Sequence, residues 1–142
     1  MWKRWSLLGF SLLLTFAVAA PRASSQQEEA RVPAFHAAPP TNGAKLPPIL
    51  GKEQLWGDNN QYPYQSHAYE LAPKIQSVIY QQPCYCYCDR MGHKSLHSCF
   101  EDLHASQCAV CVTEALMASD MQKNGLTPAQ IRERIITVYS KQ

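Results

Sequence analysis

Cys84, Cys86 and Cys88, then Cys99, then Cys108 and Cys111 are the six cysteines of this 142-residue chain, and three histidines, His93, His97 and His104, are interleaved with them. Donors so concentrated can hold a soft metal ion or, oxidised, form a disulfide framework, and the residue types alone do not choose. If residues 84–88 are extended, alternate side chains share a face, so the three thiols form one edge and Tyr85 and Tyr87 point the other way. Adjacent members of such an edge do not readily bridge each other. Cys108 and Cys111 are one helical turn apart, and His104 joins their stripe if the helix begins early enough. The expected assembly sets the Cys-x-Cys-x-Cys edge against the Cys-x-x-Cys helix, with Cys99 and a histidine closing the site.

Soft thiolates favour copper(I), zinc or an iron–sulfur cluster, and an exported protein has no ready supply of the last, which leaves copper(I) first and zinc beside it. The Cys-x-Cys-x-Cys spacing crowds donors more tightly than one tetrahedral ion needs, so more than one ion is conceivable. Under the disulfide alternative the three thiols of the motif pair with Cys99, Cys108 and Cys111, each bridge adding about 2–4 kcal/mol. Met91, Met117 and Met121 are read as core filler rather than ligands. His36, His67 and His97 are read as solvated or capping residues.

The N-terminus bears on the compartment. Lys3 and Arg4 precede an apolar run from Leu7 to Val18, and Ala17-Val18-Ala19 offers small residues at signal-peptidase spacing, so residues 1–19 read as a signal peptide and the mature protein as secreted or periplasmic. No cysteine lies near that junction, so no lipid anchor is expected. Removing Lys3 and Arg4 takes the 13 basic residues to 11, equal to the 11 acidic ones. A neutral chain gives no support to nucleic-acid binding or to adhesion on acidic lipid. A metal ion and an exported protein remain as partners.

Residues 20–66 are polar and proline-punctuated, and they read as a flexible tether, although the aromatic stretch from Leu55 to Tyr64 could pack onto the domain. The remaining 67–142 is small, and cores of that size usually need metal or disulfide support. Its pattern is all-α, a bundle of about four short helices around a Cys/His-rich loop. Leu71, Ile75, Val78 and Ile79 keep one face of a helix with Pro73 in its first turn, ending before Pro83. Ser95 can cap a second helix bearing Leu96, Phe100 and Leu103. Ser106 can cap a third that ends at Gly125. Thr127, Pro128 and Gln130 begin a fourth, whose buried face is Ile131, Ile135, Ile136 and Tyr139.

Pro83-Cys84-Tyr85-Cys86-Tyr87-Cys88, followed by Gly92-His93-Lys94-Ser95-Leu96, Cys99-Phe100, His104, Cys108-x-x-Cys111-x-x-Glu114 and Ile131-Arg132, resembles the bacterial exported proteins named for a PCYCGC motif. The resemblance covers about residues 69–140. It departs at Tyr87, where the motif has glycine, and in lacking the lipoprotein cysteine of many relatives. The family carries no established activity, so the resemblance implies export and a cysteine-centred domain. The positions that match its pattern are Cys84, Cys86, Cys88, His93, Cys99, His104, Cys108 and Cys111. An enzyme is not expected. Cys108-Ala109-Val110-Cys111 could serve thiol–disulfide exchange, but the βαβ context is missing, and Val112 stands where covalent haem attachment requires histidine.

Overall fold

The computed structural model describes residues 31–42 and 44–141. The expected signal peptide, and the tether up to residue 30, lie outside the described residues. Four α-helices carry the domain: α1 (Pro63–Leu71), α2 (Gln76–Ile79), α3 (Ala109–Lys123) and α4 (Pro128–Tyr139). Six 3-10 turns connect or precede them, and no strand occurs among the described residues.

The first helix is where sequence and structure part. It begins at Pro63, so the expected domain boundary at His67 falls inside it, and Ala72–Lys74 forms a 3-10 turn before α2. Pro73 therefore stands between two helices rather than in the first turn of one. Proline has no N–H to give to the i−4 ladder, and its ring clashes with the carbonyl of the preceding turn. The expected face survives the break, since Leu71, Ile75, Val78 and Ile79 are all buried.

The segment ahead of α1 also packs. Leu55 belongs to the core, and the Leu50 N–H donates to the Phe100 carbonyl at 2.9 Å. The Arg31 guanidinium makes a two-bonded contact to Asp89 at 2.7 and 3.0 Å, and Arg132 covers the Phe35 ring. His36, expected to be solvated, stacks on Tyr80 with centroids 3.9 Å apart. Low-propensity chain acquires order here by laying apolar and charged groups on an existing surface, which local period cannot reveal.

Helix α4 follows its sequence closely. The Gln130 N–H donates to Thr127 Oγ1 at 3.3 Å and the Thr127 N–H to Gln130 Oε1 at 2.9 Å, completing the capping box. Ile131 and Ile135 are fully buried. Helix α3 starts later than expected, at Ala109, after the turn His104–Gln107. Ser106 does not cap it; its hydroxyl donates to Asn59 Oδ1 and its N–H to Tyr69 Oη. Gly125, at φ +83, ends the helix as expected. Ala115 and Ala118 on α3 have no exposure, which lets neighbouring elements close onto it. The Ser95 segment is a 3-10 turn, Leu96–Phe100, without a side-chain cap; Leu96 and Phe100 sit in the core, with the Phe100 ring 4.9 Å from that of Tyr69.

Candidate metal centre

Residues 84–88 are not extended. The Tyr87 N–H donates to the Cys84 carbonyl at 3.0 Å, and Tyr87 itself takes the left-handed conformation, φ +57 and ψ +32. This is the position at which the motif has glycine, and a tyrosine there costs about 1–2 kcal/mol of backbone strain. The ring offsets part of that: the Arg31 and Arg90 guanidiniums lie 5.6 and 5.5 Å from its centroid, and Tyr85 meets it edge-on. The tight turn thus persists without glycine.

The turn, rather than strand alternation, gathers the thiols. Cys84 Sγ lies 3.1 Å from Cys86 Sγ and 3.2 Å from Cys111 Sγ, and Cys86 lies 3.4 Å from Cys111. Cys86 and Cys88 are in direct S–S contact, contrary to the expectation that neighbours in the motif do not meet. An extended segment would hold them parallel and apart; the left-handed residue between them folds one toward the other.

Several segments position this cluster. On the entry side Gln82 is fully buried, its side-chain amide donates to the Val78 and Pro128 carbonyls, and its backbone carbonyl accepts from Leu96 N–H. From α3, Glu114 accepts the Tyr85 N–H at 2.9 Å, one turn below Cys111. The turns Cys88–Met91, Leu96–Phe100 and His104–Gln107 supply Cys88, Cys99 and His104, and the loop between the first two supplies His93. Cys88 Sγ is 2.9 Å from His104 Nε2 and Cys99 Sγ is 3.3 Å from His93 Nδ1. His104 arrives from its own 3-10 turn, not from the α3 stripe.

Two groups of donors result, each with all ligand atoms within 4.8 Å of one another: Cys84, Cys86, Cys88, Cys99 and Cys111, and Cys88, His93, Cys99 and His104. For comparison, a tetrahedral zinc with Zn–S near 2.3 Å sets its sulfurs about 3.8 Å apart. Seven of the eight residues expected at the site converge. Cys108 stays outside both groups: it precedes α3 in extended conformation and lies beside Cys111, but it is not within reach of every other donor. His97 is neither exposed nor a cap: it is buried, with Nδ1 3.0 Å from Glu101 Oε1 and Nε2 without a hydrogen-bond partner. Met91 is 65% exposed and Met121 packs on the core.

The thiols are not electrostatically equal. Hydrogen bonding with Cys111 holds the Cys84 thiol well below the usual range and lowers Cys108 to about 6, while the same contacts push Cys111 up. Glu114 is the residue whose role composition and periodicity do not disclose; its only sequence signal is its spacing after Cys111. It has no exposure, its Oε2 has no hydrogen-bond partner, and burial, with the Cys84 charge next, drives its carboxyl well above the ordinary value. A raised folded pKa favours the protonated form. Without metal, stability on this account is complete below the ordinary carboxyl value near 4.3 and falls by up to about 1.4 kcal/mol per pH unit until the folded value is passed. Glu114→Gln keeps the acceptor for Tyr85 and removes the charge, so it should flatten that slope and raise stability at neutral pH, as read from urea unfolding of the metal-free protein between pH 4 and 8.

Fold and site together define a small helical protein whose core closes around a Cys/His cluster. The chain belongs to the family described as proteins of unknown function with a PCYCGC motif, which it matches over residues 12–142. No curated protein and no solved structure matches it.

Proposed function

We propose that this is an exported soft-metal-binding protein that stores, delivers or senses copper(I), or else zinc, through its Cys/His cluster. The observation that carries the reading is the convergence of five cysteines and two histidines from the motif turn, the loop after it, two 3-10 turns and α3, with non-bonded sulfurs as close as 3.1 Å. Burying that many polarisable donors around one point has little purpose in a purely apolar core, and deprotonated thiols so close repel unless a cation lies among them. Thiolates prefer copper(I) and zinc among available ions, and the basic, then apolar, then small-residue N-terminus supports passage to a compartment where such ions arrive from outside.

A disulfide-stapled interaction module is the second reading, and the Cys86–Cys88 contact favours it. That contact spans a sequence separation of 2. A loop so small constrains the unfolded chain by only about 1.6 kcal/mol, and it ties no element to another. Cys84, Cys99, Cys108 and Cys111 are free thiols. The metal reading accounts for more of the arrangement.

Intact native mass spectrometry of the protein recovered from its exporting compartment, before and after acid and chelator, decides between them. A removable mass excess with six reduced cysteines is the expected result. A mass lowered by the hydrogens of several disulfides, with no removable excess, would overturn the metal reading. Cys86→Ser should lower the metal content; under the staple reading it would instead leave metal irrelevant and free one thiol.

A further inference from the structure

The two donor groups share Cys88 and Cys99. On one side of that pair lie Cys84, Cys86 and Cys111, a sulfur triangle with edges of 3.1, 3.2 and 3.4 Å. On the other lie His104, against Cys88 at 2.9 Å, and His93, against Cys99 at 3.3 Å, with the two imidazole rings 5.2 Å apart and nearly perpendicular. Seven donors exceed what one tetrahedral ion takes, and they divide at the shared cysteines into a thiolate end and a Cys2His2 end. A thiolate keeps lone pairs after binding one ion and can bridge to a second.

Resting on the soft-metal reading above, we propose that the cluster is a binuclear centre bridged by the Cys88 and Cys99 thiolates. The inner ion completes its coordination with thiolates drawn from Cys84, Cys86 and Cys111, no more than two at a time beside the bridges, and the outer ion with His93 and His104. Burial separates the two in accessibility. Cys86 is the one half-buried donor among the five thiolates, whereas both histidines of the Cys2His2 end are half-buried. The inner ion is therefore enclosed by sulfur and suits copper(I), which prefers soft donors. The outer ion faces the solvent side and exchanges first, so the histidine end is the port of entry and release. Loading requires Cys86 and Cys88 as free thiols, because a Cys86–Cys88 disulfide removes a bridge from both ions at once.

The test is anaerobic titration of the reduced, purified protein with copper(I) alone, read by native mass spectrometry, followed by graded competition with a copper(I) chelator. Two ions per chain are expected, leaving in two steps. The pair His93→Ala/His104→Ala should bind one ion, the one that resists the chelator; if the double variant does not fold, by circular dichroism, each single variant should show loss of the weaker ion. X-ray absorption of the loaded protein should show a short copper–copper vector that disappears in the histidine variants. One ion in the wild type, unchanged by either histidine substitution, overturns the binuclear proposal and leaves the metal reading standing. Two ions retained in the histidine variants overturn it as well. No bound copper(I) in the reduced wild type overturns both.

Discussion

Cys99→Ser should abolish tight metal binding while leaving a folded protein. Cys99 has no exposure and lies in both donor groups, so one substitution removes a ligand from each. Serine is nearly isosteric, and its hydroxyl is a hard, neutral donor that does not replace a thiolate on copper(I) or zinc. Structural zinc sites with four ligands bind with about 10–16 kcal/mol, so one ligand carries about 3 kcal/mol, or on the order of 100-fold in affinity per ion. Competition against a calibrated chelator checks this, with Cys108→Ser as the contrast. Cys108 stands outside both groups, and its loss should change affinity by less than about 10-fold. Equal effects of the two substitutions would show that the converged geometry is not the binding geometry.

Phe100→Ala should unfold the metal-free protein and should be rescued by metal. Phe100 is fully buried, packs on Tyr69, and follows Cys99 directly in the turn that delivers that ligand. Truncating a buried phenylalanine costs about 3–5 kcal/mol, which rivals the whole stability of a domain this small. Ions that bind only the folded chain add stability as their concentration rises above their dissociation constant, about 2.7 kcal/mol at a hundredfold excess. Helicity measured against metal concentration should therefore show a folding transition in the variant and almost none in the wild type. A variant that stays unfolded in saturating copper(I) or zinc would indicate that the cluster does not couple to the fold.

The fourth helix was legible because its information is local: Thr127, Pro128 and Gln130 satisfy the first-turn amides from within four residues, and Ile131 and Ile135 fall on one face. The end of α3 at Gly125 was legible for the same reason. The break at Pro73 was misplaced because the start of α1 depends on Pro63 and on burial of Gln65, Ala68 and Tyr69, none of which forms an apolar period. His97 illustrates a different limit, since its burial beside Glu101 and Tyr80 is decided by what packs over it.

By itself the sequence determined which side chains are available for chemistry and that they lie close along the chain, because all six cysteines and three of the five histidines fall between Cys84 and Cys111. It also determined an all-α frame, through caps and period. Only the tertiary structure decided how the donors meet: a left-handed Tyr87 curls the motif where alternation predicted a straight edge, and Cys108 reaches Cys111 without joining either group. His93 and His104 pair with the two cysteines that both groups share. The physical reason is that a ligand set is a matter of ångströms between residues up to 27 positions apart. Backbone propensity fixes nothing at that range; burial of Gln82, Leu96, Phe100 and Glu114 around the cluster does.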